Sequence, residues 1–140
     1  MHAYILNGGE IEPRAKFVSD LITPYTELIH VVTEKSSITI KQIQDLAGPL
    51  AISPRLPRIV WIEEANLMTI PAQNALLKML EEPPEDTIFY LSCASHSSLL
   101  PTILSRSHTI MLEKNHAPKD PTILLDLKAI MSMSAGDRIS

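Results

Sequence analysis

Five short apolar runs dominate the sequence: Ala3–Leu6, Leu28–Val32, Ile59–Ile62, Ile88–Leu91 and Thr109–Leu112. Each is four or five residues long with almost no polar interruption. Near-continuous apolar character over that length suits strands covered on both faces, as in a parallel sheet. Between them lie Arg14–Ile22, Ile40–Leu50, Pro71–Glu82 and Ser98–Ser105, which carry helical spacing. In the third of these, Gln73, Leu76, Leu77 and Leu80 follow the i, i+3, i+4, i+7 rule. Thr69 is placed to cap it and Pro71 falls in its first turn, where a missing N–H costs little. Pro83 and Pro84 end it. Strands alternating with helices predict right-handed βαβ units, and so a doubly wound α/β domain with a five-stranded parallel sheet and helices on both faces.

Composition narrows what such a domain does. A chain of 140 residues fits one domain, able to bury roughly 68% of its unfolded surface. A net charge of −4 argues against a broad basic surface for nucleic acid, and 4% aromatic residues against a stacking platform for single-stranded bases. Cys93 is the single cysteine, and His2, His30, His96, His108 and His116 show no ligand spacing, so no metal site is predicted. The opening residues MHAYILNGGE show no signal-peptide pattern, and no apolar run approaches the roughly 20 residues of a membrane helix. The expectation is a cytoplasmic domain with no membrane partner.

The pattern changes after the fifth run. Residues 114–121, KNHAPKDP, are polar and hold two prolines, which reads as a linker closing a domain over residues 1–113. Residues 122–133 are apolar and helical, and SAGDRIS then resembles the opening turn of a helix without room to finish. Residues 122–140 are therefore expected to begin a helical unit that the chain does not complete.

The chemistry concentrates where IVWIEEAN leaves the third strand. In open α/β sheets ligands sit at the carboxyl ends of strands, which places Glu63 and Glu64 on that rim. Adjacent acids there also serve simply to solvate a strand end or cap a helix. The segments that follow discriminate. AQNALLKMLEEPP at Ala72–Pro84 and LLPTILSRS at Leu99–Ser107 strongly resemble the clamp-loader branch of the AAA+ ATPases. They are most similar to the delta-prime and gamma/tau-type subunits of the bacterial replicative polymerase, DNA polymerase III. The resemblance covers roughly residues 2–112 and rests most firmly on those two segments. It implies a P-loop-NTPase-like fold followed by a helical lid.

A phosphate loop of the form G-x-x-x-x-G-K-[ST] would follow the first strand, its N–H groups and lysine on the phosphates and its hydroxyl on Mg²⁺. Here Gly8 and Gly9 open the stretch, Pro13 stands at the second glycine, Arg14 at the lysine and Ala15 at the hydroxyl. Proline offers no N–H and forbids positive φ. Glu10 and Glu12 would add negative charge, one such charge at 4 Å costing on the order of 4 kcal/mol at an effective dielectric of ~20. Glu63-Glu64-Ala65-Asn66 occupies the place of the family's acidic D-E-A-D type sequence. The reading is a degenerate Walker A loop with a Walker B remnant at Glu63 and Glu64. Neither ATP nor Mg²⁺ is then expected as a cofactor of this chain.

The family's S-R-C motif carries an arginine that reaches the ATP of a neighbouring subunit. The resemblance gives that arginine-finger role to Arg106, flanked by Ser105 and Ser107. Ser95 lies nearest the sensor 1 position, and Lys41 opens a helix in which Gln44 replaces a common arginine. The family's cysteine-rich zinc module is absent. The leading expectation is a non-catalytic subunit working with gamma/tau-type ATPase and delta subunits, and through them with the sliding clamp and primed DNA. The alternatives are an ATPase with an altered loop, using Glu63 and Glu64, and an interaction module that keeps only the fold.

Overall fold

The computed structural model describes residues 2–8 and 11–112. Five strands, β1 (Ala3–Asn7), β2 (Glu27–Val31), β3 (Arg58–Ile62), β4 (Thr87–Cys93) and β5 (His108–Met111), form one sheet in the order β2-β3-β4-β1-β5. Every pairing is parallel. The three inner strands are buried along their whole length, which is what their unbroken apolar runs require. The edge strands β2 and β5 are partly exposed.

Helices α1 (Ile11–Leu21), α2 (Ile40–Gln44), α3 (Ala47–Leu50), α4 (Ile70–Glu81) and α5 (Pro101–Ser105) cover the two faces. On one face Phe17, Val18 and Leu21 of α1 pack with Tyr4, Leu6, Trp61 and Tyr90. On the other, Ile43, Leu50, Leu76 and Ile103 from the remaining helices enclose Ile5, Val60, Ile62 and Leu91. Successive residues of each inner strand alternate between these two cores, following the two-residue period of a strand.

The doubly wound α/β class holds, and the three largest departures from the expected boundaries, all in helices, have physical reasons. The predicted helix over 40–50 is two short helices, because Pro49 would lose its bond to, and clash with, the carbonyl four residues earlier at Asp45. The helix predicted over 98–105 begins at Pro101, with Leu100 extended at φ −61° and ψ 142°, since the residue before proline disfavours the helical region. Helix α1 begins at Ile11, three residues before the predicted Arg14. Pro13 lies within its first turn, where no N–H is missed. Thr69 caps α4 as expected, accepting from the Ala72 N–H at 3.2 Å.

The inner strands also hold polar residues that the apolar runs conceal. Arg58 is buried, its guanidinium donating to Thr87 Oγ1 and to the carbonyls of Pro49 and Ile52. It fastens the chain after α3 to the start of β3. Gly9, the linker predicted over 114–121, the segment over 122–140 and His116 lie outside the described residues.

Candidate functional site

In an all-parallel sheet every strand ends on the same rim, and the residues singled out in the sequence divide between the two rims. Gly8, Glu63, Glu64 and Ser95 follow the carboxyl ends of β1, β3 and β4. Gly8 adopts φ +113°, and a Cβ there would lie 3.2 Å from the Leu112 carbonyl oxygen, so the strand exit needs glycine. Its N–H donates to the Cys93 carbonyl at 3.1 Å. Only Gly9 and Glu10 separate Gly8 from α1. Pro13 is buried, and Ala15 packs against the α1-side core.

Arg14 turns back from α1 toward the rim. Its Nη1 donates to the Gly8 carbonyl at 3.1 Å and its Nη2 to Glu64 Oε1 at 2.7 Å. The arginine side chain is 3% exposed and that of Glu64 24%. Glu64 has left-handed backbone, φ 57° and ψ 52°, a conformation that costs a non-glycine residue on the order of 1–3 kcal/mol and persists where its surroundings hold it. Glu63 points elsewhere: its Oε2 accepts from His30 Nε2 at 2.7 Å. The His30 ring stacks on Trp61 with centroids 4.2 Å apart and planes 2° from parallel. The two adjacent carboxylates therefore serve two different cationic or hydrogen-bonding partners. Among the described residues no group of three His, Cys, Asp or Glu side chains is arranged to hold a metal ion.

Cys93 ends β4 beside this pair. Burial pushes its thiol up to about 11, with the Arg14 charge opposing the shift and the Glu64 charge adding to it. Ser95, by contrast, is exposed and shares a hydrogen bond with Ser97 Oγ at 2.7 Å. Asn7, hidden at the end of an apolar strand, orders the neighbouring turn: its Oδ1 accepts from the His96 N–H at 2.6 Å. A polar residue at the carboxyl end of an otherwise apolar run was its signal in the sequence.

Arg106 stands at the opposite rim, before the amino end of β5. It closes α5, and its Nε and Nη2 both donate to Glu81 Oε1, at 3.3 and 3.0 Å. Both side chains are nearly half exposed. They border an open groove of about 670 Å³ that also includes His2, Glu82 and Pro83. Ser105 Oγ donates back to the Thr102 carbonyl and Ser107 is buried, so neither flanking serine joins Arg106 in the groove. What fixes α5 is Gln73, a buried residue on the apolar side of α4. Its Oε1 accepts from the Leu100 N–H at 2.8 Å and its Nε2 donates to the Met68 carbonyl at 3.3 Å. Lys41 is exposed and pairs with Asp45 one turn on, as a solvated helix face does.

Strand order and helices on both faces give a P-loop-NTPase-like AAA+ fold. The chain belongs to the family described as DNA polymerase III, delta subunit, whose profile it matches over residues 22–116. It is 43% identical over 74 residues to the DNA polymerase III subunit delta′ of Yersinia pestis, a match covering 51% of this chain and 22% of that protein. Against DNA polymerase III subunit delta′ of Escherichia coli K12 it is 38% identical over 74 residues, with the same coverage. The gamma/tau subunit of Mycobacterium tuberculosis H37Rv is 38% identical over 68 residues, covering 49% of this chain and 12% of that one. A crystal structure of a DNA polymerase III gamma subunit-related protein from Thermotoga maritima superposes with a TM-score of 0.70 at 26% identity, over 97% of this chain and 52% of that one. The matched region thus spans about a fifth of the length of the delta′ relatives.

Proposed function

We propose that this chain is a delta-prime-like clamp-loader subunit that does not hydrolyse ATP and supplies Arg106 to the nucleotide held by a neighbouring subunit. The observation that carries the reading is the Arg14–Glu64 pair at 2.7 Å. A guanidinium occupies the place at the strand rim where a phosphate loop would hold polyphosphate, and the carboxylate that would polarise water is bound to it. Three features oppose nucleotide further: two residues between Gly8 and α1, no N–H at Pro13 and no hydroxyl at Ala15. Mg²⁺ and ATP therefore do not fit these residues, and no step of chemistry in this chain runs through them.

Arg106 supports the second half of the proposal by its position. It lies at the amino rim, about 15 Å from the carboxyl rim across a five-residue strand. It reaches a nucleotide at a carboxyl rim only if that rim belongs to another subunit. Against a γ-phosphate a guanidinium offsets transition-state charge and is worth ~10³–10⁵ in rate. The partners of this reading are gamma/tau-type ATPase and delta subunits, with sliding clamp and primed DNA engaged by the assembly. The test is ATP hydrolysis by the reconstituted loader containing this chain, with clamp and primed DNA present. Arg106→Ala is expected to lower the stimulated rate at least ~100-fold at the site it faces while the complex still assembles. Stimulation unchanged in that variant removes the finger role, and hydrolysis by this chain alone restores Glu63 and Glu64 as catalytic candidates.

A further inference from the structure

Given the trans role proposed for Arg106, we propose that Glu81 is a positioning residue that holds the arginine ready for a neighbour's polyphosphate. The contact uses one edge of the guanidinium. Nε and Nη2 converge on a single oxygen, Glu81 Oε1, at 3.3 and 3.0 Å. Nη1 makes no hydrogen bond among the described residues, so the end of the fork stays available. A guanidinium has five donors in a rigid plane, and a carboxylate on its side edge leaves the end-on pair for an anion. Glu81 therefore fixes the direction of Arg106 without consuming the donors that a phosphate needs.

The surroundings suit that task. Glu81 is the last residue of α4, and α4 is joined to the start of α5 through Gln73 and the Leu100 N–H. Both ends of the Arg106–Glu81 pair are thereby carried on helices fixed to each other. The pair itself is exposed, 44% and 45%, so it contributes little to folding. Its consequence is conformational: an unrestrained arginine on this rim would sample many rotamers, and only a small share of them aim into the groove beside His2 and Pro83. Sequence alone places Glu81 in the LEEPP stretch without indicating which of Glu81 and Glu82 meets the arginine; the structure selects Glu81.

The test uses the reconstituted loader with Glu81→Ala, Glu81→Gln and Arg106→Ala, alongside nitrogen-15 relaxation of the Arg106 Nε in this chain. Glu81→Ala is expected to lower the stimulated kcat roughly tenfold with KM for ATP unchanged, because the neighbour's own loop binds the nucleotide while the incoming arginine must now be ordered. Its Nε becomes mobile on the nanosecond scale, and its Tm stays within about 4 °C of wild type. Glu81→Gln, whose amide oxygen still accepts from Nε and Nη2, is expected to recover at least half of the rate. A normal rate in Glu81→Ala, with Arg106→Ala inactive, overturns the positioning role and leaves the finger intact. A rate increase in Glu81→Ala makes Glu81 a competitor and also overturns it. A normal rate in Arg106→Ala removes the finger itself, and the role of Glu81 with it.

Discussion

A guanidinium withdrawn from water needs partners for its donors, and Arg14 shows how an arginine finds them at a strand rim where a lysine would make different contacts. Lysine presents one point charge on a flexible stem, whereas arginine carries a fork that binds a carboxylate and a carbonyl together. Here the fork takes Gly8 O and Glu64 Oε1 in one geometry. Removing one member of a buried pair leaves the other uncompensated, which costs more than the pair itself contributes. Glu64→Ala is accordingly expected to destabilise the domain by ~2–4 kcal/mol, read by urea denaturation. Arg14→Met with Glu64→Gln, which removes both charges together, is expected to cost much less than Glu64→Ala alone. A Glu64→Ala variant as stable as wild type would mean that water supplies what Glu64 does. That Pro13, Arg14 and Ala15 replace the glycine, lysine and hydroxyl of a phosphate loop is read from the sequence itself. The partner chosen by Arg14 is not, because no local pattern links residues fifty positions apart. The same holds for Glu63 and His30, whose side chains meet only because β2 and β3 are neighbours.

Among the elements, the unbroken apolar runs were the most readable and the short helices the least. β1, β3 and β4 lie within two residues of their predicted ends because burial on both faces leaves one pattern to satisfy. The helix over 40–50 was misread as continuous because its apolar spacing survives the break that Pro49 imposes. Gln73 illustrates the limit differently. Its i, i+3, i+4 position placed it correctly on the buried side of α4, yet only the fold reveals that it bridges to α5. Gln73→Ala would leave the Leu100 N–H and the Met68 carbonyl unmet, and such buried groups cost about 1–3 kcal/mol each. The expected outcome is a loss of ~2–3 kcal/mol and faster amide hydrogen exchange at Leu100 and Ile103, with exchange in β1 unchanged up to the global limit. Equal acceleration everywhere would mean that Gln73 supports the whole fold rather than the docking of α5.

At the scale of the whole molecule, the separation of the two rims makes the domain directional: one rim carries the Arg14–Glu64 pair, with the arginine buried, and the other carries Arg106, nearly half exposed. The domain is therefore expected to show no nucleotide-dependent stability. A ligand at 1,000 times its Kd adds about 4 kcal/mol, an increment of well over 10 °C in Tm for a domain of this size. Wild-type protein with 1 mM ATP and Mg²⁺ is expected to melt within 1 °C of protein without them, as followed by circular dichroism. A rise of several degrees would place nucleotide at the Gly8 rim despite Arg14. The parallel pairing behind this directionality was legible in the alternation of strands and helices, whereas the strand order was not written in any local pattern. The Arg14–Glu64 pair also has a temporal consequence. A bound nucleotide arrives, reacts and departs, so a subunit that holds one passes through several states on a clock set by cellular concentrations. A side chain tethered to its own helix has no departure step, no off-rate and no dependence on supply. Under the function proposed above, a domain closed in this way would pass through no such states, and the timing of the assembly would be left to the subunits that can be emptied.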